Sequence, residues 1–238
     1  MDTISGKTLS ILGISPAGVK KRLRDRGMEK NDLNYAANAY GTVISSGESS
    51  LTDVFRAIEE SFSPFTCSGN RTPAQVLINS AVQASALLVF AESCTGGLAG
   101  SLVTGIAGSS DVFWGSMVTY ANEAKERVLG VSTIGEHGAV SEETVKAMAV
   151  GAMKVSDANA ALAVSGIAGP GGGTPDKPVG TVWFAFKFLE QMQTLKCVFS
   201  GSRAQVRRKA TGVALAGLAN QINGALLDTA WIADYTWY

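Results

Sequence analysis

The sequence predicts an α/β protein: a three-layer α/β/α domain with a mostly parallel or mixed sheet, preceded by a small α+β subdomain. From residue 73 onward, continuous apolar runs of strand length alternate with segments of helical periodicity, the pattern of buried strands joined by helices. Before residue 63 the chain is more charged, and its strand and helix patterns are shorter. The 238 residues, of which 46% are hydrophobic, are enough to bury a sizeable core.

In the first part of the chain, the patterns predict two strands and two helices. The strands are expected at 7–12 and 40–45, and the helices at 15–26 and 51–62. Residues 1–66 are therefore predicted to form the small α+β subdomain. Turn-forming residues dominate 63–73, which predicts a linker at 67–72.

In the second part, residues 73–223 are predicted to form the larger domain, and residues 224–238 a tail. The predicted helices are 72–84, 97–104, 123–129, a helix capped by Ser141 that runs to 155, and a terminal helix at 203–226 with one apolar face. The predicted strands are 87–91, 113–120, 161–165, 181–188 and 195–199, with a hairpin turn at 191–193 between the last two.

Composition excludes several classes of function. The chain has 20 Lys and Arg and 20 Asp and Glu, and a net charge of zero argues against nucleic acid or an anionic membrane as the main partner. No run of about 20 apolar residues predicts a membrane span, and the N-terminus lacks the features of a signal peptide. The three cysteines, Cys67, Cys94 and Cys197, are widely spaced, which favours reduced thiols and a cytoplasmic protein without a structural metal site. We expect no cofactor, and a homo-oligomer, which the apolar composition permits.

Three loops follow predicted strands and carry unusual residues: 92–97, 120–125 and 165–173. In an α/β sheet, ligands bind in the loops at the carboxyl ends of the strands. The first loop offers Ser93, Cys94 and Thr95 as possible nucleophiles. Thr95, Gly96 and Gly97 lie at the start of a predicted helix, where their backbone N–H groups are expected to hold an anion or an oxyanion of the substrate. The alternative is an ordinary strand–helix turn capped by Thr95.

The single histidine, His137, restricts the choice of catalytic base. A hydrolase with a histidine base would have to use it, and local hydrogen bonding is the better interpretation of this residue. A lysine can act as a base when burial lowers its pKa, so Ser93 with Lys125 is the natural dyad. Tyr120 could orient either partner. The alternative is that Lys125 is a surface residue.

Two further segments suggest contacts with a phosphorylated ligand. Five of the nine residues at 166–174 are glycines, Gly166 and Gly169 among them, which suggests a phosphate or ribose cradle or a flexible lid. Arg203 at the start of the terminal helix could grip a phosphate, whereas Arg207 and Arg208 are interpreted as a solvated helix turn.

Five segments in order resemble the CinA C-terminal domain family, which includes nicotinamide mononucleotide deamidase. They are AESCTGG at 91–97, VTYANEAK at 118–125, HGAVSE at 137–142, SGIAGPGG at 165–172 and KPVGTVW at 177–183. The resemblance runs from about residue 73 to residue 223. The segment 7–23 looks like the start of the small connecting domain that follows the nucleotide-pyrophosphatase domain in full-length CinA proteins.

The resemblance implies hydrolysis of the carboxamide of nicotinamide mononucleotide to nicotinic acid mononucleotide and ammonia, a step of pyridine nucleotide salvage. It also implies a serine amidohydrolase with a Ser/Lys dyad and no metal. Ser93 matches the family's nucleophile and Lys125 its base. Tyr120, Ser165 and Arg203 match pocket positions, and Ser110 is carried over as a further pocket residue.

Three alternatives stand beside this hypothesis. The same loops could bind a nucleotide for regulation, without turnover. The chain could be an interaction protein related to competence, the setting from which the family name comes. Cys94 could replace Ser93 as the nucleophile of a different amidase.

Overall fold

The computed structural model describes residues 8–29, 32–38, 40–46, 56, 58 and 66–225. The first of its two sheets has the strand order β2-β3-β1-β4, and all of its pairings are antiparallel. Its strands are β1 (Thr8–Leu12), β2 (Leu33–Asn38), β3 (Gly41–Ser46) and β4 (Thr66–Ser68). Helix α1 (Pro16–Asp25) begins at a side-chain cap, since Ser15 accepts from the backbone N–H of Gly18.

The predicted strands at 7–12 and 40–45 and the predicted helix at 15–26 are confirmed within one to two residues. Strand β2 was not predicted, because its sequence Leu-Asn-Tyr-Ala-Ala-Asn is too polar to stand out. The expectation of turns throughout 63–73 is wrong at β4, whose residues 66–68 pair with β1. The helix predicted at 51–62 lies outside the described residues, except for 56 and 58.

The second sheet has the strand order β6-β5-β7-β8-β9. Its strands are β5 (Leu88–Glu92), β6 (Phe113–Val118), β7 (Ala160–Gly166), β8 (Thr181–Phe188) and β9 (Gln191–Val198). Strand β5 pairs in parallel with both β6 and β7, whereas β8 pairs antiparallel with both β7 and β9. The sheet is therefore mixed, and the predicted fold class is confirmed.

Helices cover both faces of this sheet. They are α2 (Pro73–Ala84), α3 (Leu98–Thr104), α4 (Asn122–Leu129), α5 (Ile134–His137), α6 (Glu142–Ser156) and α7 (Arg203–Ile222). Strand β5 shows how the layers form, because its side chains alternate between two cores. Leu88 and Phe90 belong to the core under α2, α3 and α7, whereas Val89 and Ala91 belong to the core under α4 and α6.

Two predictions about the end of the chain are corrected. The residues predicted as a hairpin turn, 191–193, lie in β9, and the turn is the pair Leu189 and Glu190, in which Leu189 takes a left-handed conformation with φ of 51°. Helix α7 ends at Ile222 rather than at 226. It is buried on all sides from Ala210 to Ile222, not on one face, because it is packed between α2 and the sheet.

Candidate functional site

A cleft of about 260 Å³ opens at the carboxyl ends of β5, β6 and β7. This is the edge at which the three unusual loops were expected to meet. Six residues predicted to belong to the site line the cleft: Ser93, Tyr120, Lys125, Ser165, Gly166 and Arg203. The loop before α6 closes one side of the cleft with Ala139 and Val140.

Ser93 follows the last residue of β5 and is 7% exposed. Its backbone N–H donates to the carbonyl of Val164 at 3.0 Å, and its own carbonyl accepts from the N–H of Gly96 at 3.1 Å. The turn from 93 to 97 needs positive φ at two positions, 62° at Gly96 and 90° at Gly97. These contacts fix the backbone that carries the Ser93 hydroxyl into the cleft.

The carboxylate of Glu92, which is fully buried, anchors this turn. It accepts from the backbone N–H groups of Gly97, Ala99 and Gly100 at 3.0, 3.2 and 2.9 Å, and from the Ser116 hydroxyl at 2.8 Å. The carboxylate thus satisfies the first N–H groups of α3 and ties them to β6. We did not predict this role, although an acidic residue at the end of an apolar strand signals a buried partner.

Lys125 lies at the floor of the cleft and is 1% exposed, so the expectation of a possible surface lysine is wrong. Its ammonium donates to the carbonyls of Thr119 at 2.8 Å and Tyr120 at 3.0 Å. Among the described residues, Lys125 has no carboxylate within ion-pair distance. Burial lowers the pKa of Lys125, and the proximity of Cys94 has a smaller opposite effect. Burial thereby favours the neutral amine.

A neutral lysine amine has two hydrogens and one lone pair. Both hydrogens of a neutral Lys125 would be used by the two carbonyls that it contacts. The lone pair would then be left as the acceptor for a proton from the cleft. An amine held in this way could accept a proton from the cleft, whereas a protonated ammonium would direct its third N–H there.

Cys94 belongs to the hydrophobic core and is 5% exposed. Burial raises the pKa of its thiol to about 12. At neutral pH the thiolate, which is the nucleophilic form, is therefore scarce. The alternative of a cysteine amidase is disfavoured by this environment.

Tyr120 and Arg203 meet at the mouth of the cleft. The Arg203 guanidinium donates to the Tyr120 hydroxyl at 3.0 Å and to the carbonyl of Gly169 at 2.8 Å. The Tyr120 side chain is 61% exposed, so it stands between the cleft and solvent. Arg203 keeps further N–H donors for a ligand, because its guanidinium carries five.

The glycine loop after β7 is shaped by close packing. A Cβ at Gly166 would lie 2.6 Å from the Val182 side chain, and one at Gly169 would lie 2.6 Å from the Val179 side chain. The hydroxyl of Ser165 donates to the carbonyl of Ala139 at 2.7 Å, which joins β7 to the loop before α6. Gly169 touches Arg203 rather than the cleft itself, so it positions the loop around the arginine.

Two of the three predicted oxyanion positions, Gly96 and Gly97, already donate their backbone N–H groups within the protein. The N–H of Gly96 donates to Ser93, and the N–H of Gly97 donates to Glu92. Thr95 is fully buried and does not line the cleft. The N–H groups without an oxygen acceptor among the described residues are instead those of Cys94 and Thr95.

Ser110 does not reach the cleft. It is exposed in a short 3₁₀ helix, Ser109–Asp111, that precedes β6. Because β6 runs parallel to β5, this helix lies at the amino end of the strands and the cleft at the carboxyl end. Ser110 is therefore separated from Ser93 by the length of the sheet.

Two other expectations can be judged from side-chain contacts. His137 does not line the cleft, and its neighbours are Glu136 and Glu143, in agreement with a local role. Arg207 was expected to be solvated, which is wrong: it is half-buried and donates to the carbonyls of Cys94 at 3.1 Å and Thr95 at 2.7 Å. The sequence signal for this placement was the spacing, because Arg207 lies four residues after Arg203 and therefore on the same helix face.

The part of the chain that the structure describes contains no cluster of three or more His, Cys, Asp or Glu side chains that could hold a metal ion. In the same residues, no helix is both long and apolar enough to cross a membrane.

Known proteins resemble this chain over the domain that carries the cleft. The sequence model of the CinA C-terminal domain matches residues 70–222. The nicotinamide-nucleotide amidohydrolase PncC of Escherichia coli K12 is 51% identical over 140 residues, which cover 57% of this chain and 84% of that protein. The crystal structure of the competence/damage inducible protein CihA from Agrobacterium tumefaciens matches with a TM-score of 0.61 and 41% identity, over 63% of this chain and 93% of that one.

Longer relatives extend the similarity toward the N-terminus. A putative competence-damage inducible protein of Alkaliphilus metalliredigens is 37% identical over 235 residues, which cover 93% of this chain and 57% of that protein. A CinA-like protein of Petrotoga mobilis is 51% identical over 132 residues, which cover 55% of this chain and 33% of that protein. The chain thus spans a third to just over half of the length of these relatives.

Proposed function

We propose that this chain, which belongs to the CinA C-terminal domain family, hydrolyses the carboxamide of nicotinamide mononucleotide to nicotinic acid mononucleotide and ammonia. The observation that carries the proposal is the cleft in which Ser93 and the buried Lys125 lie together. The name of the Escherichia coli relative supports the substrate class.

The first step is proton transfer from Ser93 to Lys125. The neutral amine of Lys125 directs its lone pair away from the two carbonyls and takes the hydroxyl proton. The Ser93 oxygen then forms a bond to the amide carbon of the substrate, and the negative charge moves to the carbonyl oxygen.

The N–H of Cys94, a residue that lines the cleft, holds this oxyanion together with the N–H of Thr95 directly after it. They follow the nucleophile directly in the chain, and no oxygen of the described residues accepts from them. Donors that are already in place lose no energy in reorganising when the negative charge appears. The sequence predicted the N–H groups of residues 95–97 for this role; the proposal keeps that of Thr95 and puts that of Cys94 in the place of those of Gly96 and Gly97.

The intermediate collapses by breaking the bond between carbon and nitrogen. The Lys125 ammonium returns its proton to the nitrogen, which leaves as ammonia, and an ester on Ser93 remains. Water, deprotonated by the same amine, then attacks the ester, and the Lys125 ammonium returns that proton to the Ser93 oxygen as the ester bond breaks. The carboxylic acid that is released loses its own proton to solvent, so protons and charge balance.

Arg203 binds the phosphate of the substrate. Its guanidinium is oriented by Tyr120 and Gly169 at the mouth of the cleft and has N–H donors to spare. The cleft of about 260 Å³ is near the lower limit, about 300 Å³, of pockets that bury a small ligand. The pyridine ring and its amide therefore occupy the cleft, and the ribose and phosphate lie along its mouth beside the glycine loop.

The first sheet and α1 are proposed to be the small connecting-type subdomain, with the division from the hydrolase domain near 66–72. The match to the Alkaliphilus metalliredigens protein supports this division, because it covers 93% of the chain rather than the larger domain alone. We further propose that the protein is a cytoplasmic homo-oligomer.

Ammonia release from nicotinamide mononucleotide tests the function, with Ser93→Ala and Ser110→Ala measured beside the wild type. We expect release by the wild type and Ser110→Ala, and none by Ser93→Ala. Stabilisation of the wild type by the nucleotide without ammonia release would contradict the proposal and favour a nucleotide-binding protein without turnover.

A further inference from the structure

We propose that Arg207 is a positioning residue that sets the direction of the Thr95 N–H, one of the two N–H groups assigned to the oxyanion, an inference that rests on the proposed function. Arg207 does not itself line the cleft, but it contacts the backbone of Cys94, which does. Its guanidinium lies behind the turn that carries Ser93, with Nε 3.1 Å from the carbonyl oxygen of Cys94 and Nη2 2.7 Å from that of Thr95.

Peptide geometry links these contacts to the N–H groups. The carbonyl and the N–H of one trans peptide point in opposite directions. Arg207 holds the Cys94 carbonyl, so the N–H of Thr95, in the same peptide, points away from Arg207. The next peptide follows the same rule, since Arg207 holds the Thr95 carbonyl while the N–H of Gly96 reaches the Ser93 carbonyl on the opposite side of the turn.

The turn also keeps polar groups that no oxygen atom of the described residues pairs. The N–H groups of Cys94 and Thr95 reach no oxygen acceptor among the described residues. The Thr95 hydroxyl is fully buried and likewise has no hydrogen-bond partner there. Buried polar groups are nearly always paired, so unpaired ones in this turn call for an explanation, and a catalytic role is one. Without Arg207 the peptide between Cys94 and Thr95 could rotate and pair the Thr95 N–H within the protein.

The surroundings of Arg207 favour a single orientation of its guanidinium N–H groups. Among the described residues it has no carboxylate within ion-pair distance, so its charge faces the two carbonyls alone. A Cβ at Gly96 would lie 3.2 Å from Nη2 of Arg207, which explains why the turn has a glycine where the guanidinium approaches. Arg203 and Arg207 share one face of α7, whereas Arg208 is exposed.

The test uses Arg207→Met, Arg207→Lys and the matched control Arg208→Met in the full chain. Two readouts are measured: the rate at which a small alkyl fluorophosphonate labels Ser93, and kcat and KM for nicotinamide mononucleotide. Labelling breaks the phosphorus–fluorine bond and places the phosphoryl oxygen at the oxyanion donors, so it reports on the turn without the natural substrate. Thermal unfolding and circular dichroism check that each variant is folded.

We expect Arg207→Met to lower both the labelling rate and kcat about 100-fold, the effect of losing one oxyanion donor, with KM nearly unchanged. Arg208→Met keeps wild-type values. Arg207→Lys lies between them, because a single ammonium cannot span both carbonyls as the planar guanidinium does. If Arg207→Met does not fold, Arg207→Lys provides the comparison through its reduced kcat and unchanged KM.

Wild-type labelling of a folded Arg207 variant would overturn the inference, and so would a wild type whose Ser93 is not labelled at all. A third outcome is that Arg207→Met is labelled more slowly than Arg208→Met while the wild type releases no ammonia. That outcome would leave the positioning role standing and overturn only the proposed substrate.

Discussion

Replacing Glu92 by glutamine is expected to destabilise the protein strongly, because a single carboxylate anchors the start of α3. One carboxylate oxygen accepts from Gly97 and Ala99 at 3.0 and 3.2 Å, and the other accepts from Gly100 and Ser116 at 2.9 and 2.8 Å. Glutamine keeps one oxygen and turns an NH₂ group toward the other two donors. Each buried donor that loses its acceptor costs about 1–3 kcal/mol, so with two such donors we expect the free energy of unfolding to fall by about 4 kcal/mol.

Urea denaturation followed by circular dichroism measures this loss, with Ser116→Ala as the matched control. The control removes one donor and leaves the carboxylate its three backbone partners, so about 0.5–1.5 kcal/mol is expected. In thermal unfolding, the loss for Glu92→Gln corresponds to a Tm lower by about 8–16 °C. A loss no larger for Glu92→Gln than for Ser116→Ala would refute the reasoning that this carboxylate anchors the turn.

Three further predictions concern Lys125, Cys94 and the glycine loop. Because burial lowers the pKa of Lys125, the rate of ammonia release should fall as the pH drops through that pKa. Between this pKa and the higher pKa of Lys125 in the unfolded chain, the unfolded chain binds more protons, so the free energy of unfolding should rise with pH by at most about 1.4 kcal/mol per pH unit. Lys125→Met should remove this slope. Cys94→Ala should keep its ammonia release, and thiol alkylation at pH 7.5 should not inhibit the wild type, because burial raises the pKa of that thiol to about 12. In urea denaturation, Gly166→Ala should lower the free energy of unfolding by about 1–3 kcal/mol, because its Cβ would lie 2.6 Å from the Val182 side chain. Gly171→Ala should not lower it, because there is open space around the new Cβ.

The elements of the larger domain were predictable because their signals are local. Capping residues mark the starts of three helices: Thr72, Ser141 and Ser202 each accept from a backbone N–H inside the helix that follows. Strand β5 is buried at all five positions and reads as a continuous apolar run up to Glu92. The meeting of the three loops followed from the parallel order of the strands.

The contacts that orient the site were not predictable, because they join residues far apart in the chain. Arg207 reaches back to Cys94 across 113 positions, and no local pattern reports such a contact. Gly96 and Gly97 were expected to offer free N–H groups, since glycine before a helix commonly does, but Ser93 and Glu92 accept from them. Which donor is free depends on the partners that the fold supplies.

The burial of Lys125 was likewise not predictable from the local sequence. The sequence around it, with charged neighbours at 123, 126 and 127, is that of an exposed helix turn. Lys125 is nevertheless 1% exposed, because it lies with Leu129 on the face of α4 that is turned toward the sheet. A lowered pKa follows from that placement and from nothing that the local sequence shows.

The central claim, acyl transfer through Ser93 with Lys125 as its base, is tested most directly by trapping the acyl-enzyme. The wild type is mixed with nicotinamide mononucleotide, quenched in acid within the first turnovers and digested, and the peptides are examined by mass spectrometry. The account predicts an ester at Ser93 in the wild type, converted to a hydroxamate by added hydroxylamine, and no ester in Lys125→Met. Acylation of Cys94, or steady ammonia release by Ser93→Ala, would contradict it.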